Sequence, residues 1–209
     1  MDPKAQAVLE YWLGEDYRSH SPHFQDKERV KLWFGGGEAV DKEVKERFGA
    51  IVEEATSGGL RHWKRGYEAL AGVILRDQFT RNVFRGTPRM FSLDQEALSL
   101  AKSLVESGEA GQIIPPHRVW LYMAYMHSEV LQDQQDCVRL FQELEAECRR
   151  LPGGGEPMAS RAADNARFAI AHESVISKWG RFPHRNAVLG RQSTAEEAAG
   201  LQDGSIPRF

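Results

Sequence analysis

Apolar residues recur at three- and four-residue steps along nearly the whole chain, and Gly or Pro closes each run. That spacing builds helices with one buried face, and no alternating run bounded by turn residues competes with it. Asp2 is an N-cap with Pro3 at the first helical position, and Val8, Leu9, Trp12 and Leu13 stripe a helix ending at Gly14. Residues 15 to 25 read as loop, and a short helix about Asp26 to Phe34 stops at Gly35-Gly36-Gly37. Asp41 is expected to cap the next helix, whose face of Val44, Phe48, Ile51, Val52 and Ala55 runs to Gly58-Gly59. Further helices are expected over about Gly66 to Phe79, from a capping box at Ser92 to Gly108, and over Val119 to Met126 after Pro115-Pro116. The last three span about Ser128 to Arg150, Ala159 to Trp179, and a short stretch after a capping box at Thr194. About nine antiparallel helices with short Gly/Pro connections predict a single all-α domain over residues 1–209, a bundle or a stack of helical hairpins.

A chain of 209 residues with 41 % hydrophobic content can bury one substantial core. A net charge of −3 argues against generic nucleic-acid binding, and no apolar run approaches the length of a membrane span. Cys137 and Cys148 lie on one expected helix, about 16 Å apart along its axis, too far for a disulfide between them. Free thiols and a first helix with no apolar signal core predict a cytoplasmic protein.

Two polar segments break the helical grammar. Asp77-Gln78-Phe79-Thr80-Arg81-Asn82 is followed by Arg85-Gly86, and Gly180-Arg181-Phe182-Pro183-His184-Arg185-Asn186 leads to Leu189-Gly190-Arg191. Both spend positions on guanidinium, imidazole and amide groups, which must be hydrogen-bonded once shielded from water. Asp77 and Arg81 are spaced as an i,i+4 ion pair, or as an anion clamp with its orienting carboxylate. Arg181, His184 and Arg185 fall within five residues of a segment stiffened by Pro183. They are read as converging on a carboxylate or phosphate, with the alternative that they cap neighbouring carbonyls. A third segment, His127-Ser128-Glu129, lies between two helices; Ser128 and Glu129 suit a helix start, which leaves His127 unexplained. Glu129, Asp133 and Asp136 would form an acidic stripe, solvated by default.

His172 sits mid-helix and reads as a core histidine. The zinc-protease pattern is excluded because Ile176 stands where a second imidazole is needed. Neither cysteine has a partner at metal spacing, and the Gly-rich runs at 35–38 and 153–156 lack the Lys-Ser/Thr of a phosphate loop. No metal site is expected, and the residues name no cofactor.

In these motifs, in this order, the chain resembles the domain-of-unknown-function 924 family across nearly its whole length. The resemblance implies a single all-α domain related to the tetratricopeptide-like superfold, and it implies no activity. Family members have Pro where this chain has Thr80 and Ala124, so local turn geometry is where a difference is expected.

The leading functional expectation is a polar cleft for an anionic small molecule or a carboxylate-bearing peptide end. Arg81, Arg181 and Arg185 would hold the anion, with Asp77, Asn82 and Asn186 orienting the site. The first alternative is an enzyme using His127 or His184 as general acid or base, with Glu129 or Asp77 fixing the tautomer. The second is a helical protein-interaction scaffold.

Overall fold

The computed structural model describes residues 1–22, 24, 29–152 and 155–209. Among them every regular element is helical: α1 Pro3–Leu13, α2 Arg29–Phe34, α3 Gly37–Thr56, α4 Gly66–Ile74, α5 Thr80–Val83, α6 Asp94–Glu106, α7 Pro115–Met126, α8 Leu131–Arg150, α9 Glu156–Trp179 and α10 Ala195–Asp203. A π-helical turn, Leu75–Phe79, joins α4 to α5 in one unbroken rod, so the described residues form nine rods. The expected start of the second helix at Asp26, the loop residue His23 and the Gly153-Gly154 break lie outside the described residues.

The α4 rod is the axis of the domain. All of Ala69 to Ile74 is buried, as a helix hydrophobic on every side must be, and α1, α6 and α7 pack around it. Gly72 lets α6 come close: a Cβ there would stand 3.1 Å from a Leu100 methyl. On the α1 side the rings of Trp12, Phe79 and Trp120 interlock, with Trp12 5.4 Å from Phe79 and 5.1 Å from Trp120 in edge-on geometry. Trp33 of α2 joins this knot and donates its indole N–H to the Trp12 carbonyl at 3.0 Å.

The other half is the long α8–α9 pair. Leu140, Phe141 and Leu144 of α8 face Ala159, Ala162 and Ala166 of α9, and the small alanines permit close approach of the two backbones. Cys137 and Cys148 are both buried on α8 and unbridged, and Cys137 lies 3.4 Å from the Tyr122 carbonyl. Helices adjacent in sequence pack in the order α6 on α7, α7 on α8, α8 on α9, an arrangement compatible with stacked hairpins. No described helix is long and apolar enough to cross a membrane.

Three expected helix caps are not used. The third helix begins at Gly37, one turn before Asp41, because the Asp41 carboxylate is taken by Arg85 and Asn82 instead of capping. Ser92 does not cap α6; its hydroxyl bonds back to the Arg89 carbonyl at 2.8 Å, and Asp94 in the first turn is bound by Arg81. The helix after His127 begins only at Leu131, since the Ser128 hydroxyl donates to Asp133 at 2.6 Å and accepts from Val130 N–H. Asp133 is therefore buried and also meets Lys102 at 2.5 Å, so the expected solvated acidic stripe does not form. The capping box at Thr194 is present with both of its bonds.

Candidate functional site

The π-helical turn puts an extra residue into the central rod and carries Arg76, Asp77 and Gln78. Thr80 closes it, giving both its N–H and, at 3.1 Å, its hydroxyl to the Leu75 carbonyl. Proline, the family's residue at this position by resemblance, would offer neither bond.

Asp77 is only 1 % exposed. His127, at the C-terminal end of α7, meets its Oδ1 through Nδ1 at 2.7 Å, and the Gln78 amide donates to Oδ2 at 2.6 Å. An ionised carboxylate only accepts, so Nδ1 carries the hydrogen and the bond leaves Nε2 unused. Arg81 completes the group. It lies 3.2 Å from Asp77 and makes a bidentate pair with Asp94 at 2.9 and 3.0 Å. Burial alone would raise the Asp77 carboxyl, but Arg81 and His127 reverse that and hold it below the ordinary carboxylate range. Asp94 moves the other way: burial and the Asp77 charge outweigh the pull of Arg81.

Arg185 approaches the same group from a 3₁₀ turn, Pro183–Arg185. Gly180 makes this possible by ending α9 at φ 67°, a left-handed conformation that costs glycine little. The Arg185 side chain is 8 % exposed. It donates through Nη1 to the His127 carbonyl at 3.0 Å, and its distance of 3.7 Å to Asp94 is too long for a hydrogen bond. Its Nε is buried and has no hydrogen-bond partner among the described residues. The rings of Phe91 and Phe182 flank the guanidinium at 4.7 and 4.4 Å. Burial and the neighbouring Arg81 push Arg185 down to about 10, against the weaker pull of Asp94, Glu129 and Asp77.

Two more histidines border the cluster. His184 Nδ1 is buried and unpartnered, and burial together with Arg185 lowers the ring to about 4. His172 donates through Nδ1 to the Phe168 carbonyl at 2.7 Å, and burial pushes the ring down to about 3. The Phe209 ring stacks on His172 at 3.5 Å and stands 6.0 Å from His184.

The other sequence-derived candidates do not join this group. Arg181 is spent on Glu197, with two 2.7 Å bonds, and Asn186 donates to Glu197 and to Ser193. Glu129 accepts from Phe182 N–H at 2.7 Å and pairs bidentately with Arg191 at 2.6 and 2.9 Å. These residues bind the 180–197 segment to the start of α8 and α10, so they shape the turn that presents Arg185. Asn82 points away, to Asp41. Asp77, Arg81, His127 and Arg185 thus share one centre, His184 flanks it, and Glu129, Arg181, Asn186 and Asn82 lie in networks around it.

Asp94 and Phe91 were not legible as site residues. Asp94 stands inside what reads as a capping box, and Phe91 is an ordinary aromatic until the fold brings it to Arg185. Arg191 could have been found, because its Leu-Gly-Arg context parallels Arg85-Gly86.

Surface cavities of about 560 and 580 Å³ lie elsewhere, and none of Arg81, His127 or Arg185 lines either of them. Among the described residues no group of three or more His, Cys, Asp or Glu side chains is placed to hold a metal ion.

Residues 8–205 match the family described as bacterial protein of unknown function (DUF924). A solved structure of a protein of unknown function from Agrobacterium tumefaciens is similar with a TM-score of 0.74 and 29% identity, covering 96% of this chain and 97% of that one. No curated protein matches the chain. The family match takes in the rod with its π-helical turn, His127 and the Arg185 segment alike, and the chain belongs to the DUF924 family.

Proposed function

We propose that the protein binds an anionic small molecule or the carboxylate of a peptide end, with Arg185 as its principal contact. One observation carries this reading: a buried guanidinium that, among the described residues, has a single hydrogen bond, an orphaned Nε and no carboxylate within hydrogen-bond distance. Asp94 is held bidentately by Arg81 and stays 3.7 Å from Arg185, so the buried charge of Arg185 is only partly compensated. An arriving anion would pair with Arg185, while Phe91 and Phe182 exclude water around it. His184, neutral and with Nδ1 unpartnered, would add a further hydrogen bond.

Mass spectrometry of ligands that co-purify with the protein, followed by thermal unfolding with phosphate, succinate and a peptide with free or amidated C-terminus, tests this. At least one anion is expected to raise the midpoint of the wild type and to leave Arg185→Gln unmoved. Equal responses in both proteins would remove Arg185 from the site.

A second reading rests on the Asp77–His127 pair. A buried carboxylate that holds Nδ1–H and leaves Nε2 free is how a general base is oriented. In that reading Arg185 anchors the substrate's anionic group and His127 moves a proton on it. Any turnover found by substrate profiling should then be lost in His127→Gln while anion binding persists.

The buried, unbridged thiols fit a reducing compartment, and on that ground the proposal places the protein in the cytoplasm.

A further inference from the structure

The cavity of about 560 Å³ lies beside the central rod, between the loop that precedes α4 and the outer face of α6. Its size falls in the range of small-molecule sites, roughly 300–1,000 Å³. Arg61, Lys64 and Arg76 face it, against one carboxylate, Glu96. Several arginines elsewhere in the chain are matched: Arg47 with Glu43, Arg65 with Glu109, Arg89 with Glu53, Arg118 with Glu147. Here Arg61 and Lys64 make no hydrogen bond or ion pair among the described residues.

The loop is built to present them. Leu60 holds φ at 58°, a left-handed conformation that a branched residue adopts only when its surroundings impose it. Its side chain is buried, as is Trp63, whose indole N–H is fixed by Asp2 at 3.0 Å. With residues 60 and 63 anchored inward, Arg61 and Lys64 turn outward onto the cavity rim. Arg76 forms its floor: 2 % exposed, bonded to Glu96 at 3.1 Å, with only long contacts of 3.3 and 3.4 Å to the Gly72 and Gly59 carbonyls. Leu60 and Leu100 supply an apolar wall, and Ser103 offers a hydroxyl.

We propose that this cavity binds a soluble phosphomonoester of nucleotide or sugar-phosphate size. Arg61, Lys64 and Arg76 would hold the phosphate, whose charge at neutral pH, about −1.5 to −2, suits three cations facing one carboxylate. The apolar wall and Ser103 would take the rest of the molecule. The proposal stands apart from the Arg185 site, because the residues involved do not overlap.

The test is thermal unfolding of the full chain with adenosine monophosphate and glucose 6-phosphate, with adenosine, glucose and inorganic phosphate as comparison probes. Backbone NMR shifts of residues 58–64 and 99–103 are followed in the same titrations. Arg61→Gln/Lys64→Gln changes two exposed side chains and so leaves the fold intact, whereas Arg76 variants risk the buried packing. One of the two phosphomonoesters is expected to raise the midpoint and move those NMR signals in the wild type and in Arg185→Gln. At least tenfold weaker binding is expected in the double variant. The proposal is overturned if neither probe acts on the wild type at millimolar concentration, if the double variant responds equally, or if inorganic phosphate alone does as well.

Discussion

Asp77 and His127, fifty positions apart in sequence, meet in a 2.7 Å hydrogen bond that ties the π-helical turn of the central rod to the end of α7. His127 uses its ring for that bond and its carbonyl for Arg185, at 3.0 Å. A single residue therefore positions both the buried carboxylate and the buried guanidinium of the candidate site.

If the pair is structural, breaking it must cost stability. Asp77→Asn leaves Arg81 buried with one carboxylate in place of two and His127 without its anchor, and it is expected to destabilise the fold by on the order of 3 kcal/mol in urea unfolding. A loss below about 1 kcal/mol would show that Asp94 alone satisfies Arg81.

Acid should weaken the domain through its buried histidines, starting above the ordinary carboxylate range. Burial holds native His172 and His184 to about 3 and about 4, whereas unfolded imidazoles titrate near 6.5. As pH falls below that value the unfolded chain takes up protons that the native chain refuses. The contribution is complete above the unfolded value and is lost as pH falls through the folded ones. The urea midpoint is thus expected to drop between pH about 6.5 and about 4. His172→Gln with His184→Gln should lessen that decline, leaving the share of His117, which is also held to about 3, and an increase in midpoint over the same interval in the wild type would contradict the assignment.

How much of this was legible beforehand differs by kind of residue. Helices could be read because Val44, Phe48 and Val52, or Phe141, Leu144 and Cys148, repeat a local period that depends only on neighbours. Helix starts were less legible. Asp41, Ser92 and Ser128 all have capping chemistry, but each hydroxyl or carboxylate found a different partner in the folded chain. In the site, Asp77 and Arg81 are four apart and their pairing follows from the helix. Arg181 and Arg185 look alike in sequence, yet one is consumed by Glu197 and the other has only a 3.7 Å contact with Asp94, which Arg81 already holds. That difference is set by α10 and α6, which only tertiary packing brings near.

A hydrogen-bonded chain outside the site makes a sharp spectroscopic expectation. Tyr67 Oη, His117, His20 and Asp16 are linked by three contacts of 3.0 Å each. Asp16 can only accept, so His20 donates through Nε2, His117 donates to His20 through its own Nε2, and Tyr67 donates to His117 Nδ1. Burial and His20 push His117 down to about 3, so it stays neutral. Nitrogen NMR should find His117 as the Nε2–H tautomer at pH 7, and His117→Phe should cost about 1–3 kcal/mol by stranding the Tyr67 hydroxyl. The Nδ1–H tautomer would refute the chain's direction.

Glu129 is expected to hold the 180–191 segment rather than to react. Glu129→Gln weakens both the Phe182 N–H bond and the Arg191 pair. Hydrogen exchange at Phe182 should quicken by about tenfold or more, a local opening cheaper by about 1.4 kcal/mol, while amides of α4 remain unchanged. Uniform loss of protection across the domain would instead make Glu129 part of the global core.

Arg185 decides between a ligand site and a buried architectural charge. Urea unfolding of Arg185→Ala in anion-free buffer measures this directly, because a guanidinium awaiting its partner repels Arg81 and gains little from the native state. The variant is expected to be within about 1 kcal/mol of the wild type, or more stable, and to have lost the midpoint increase that the bound anion gives. A loss of about 3–5 kcal/mol with no anion response in the wild type would mean that Arg185 is held for the fold alone.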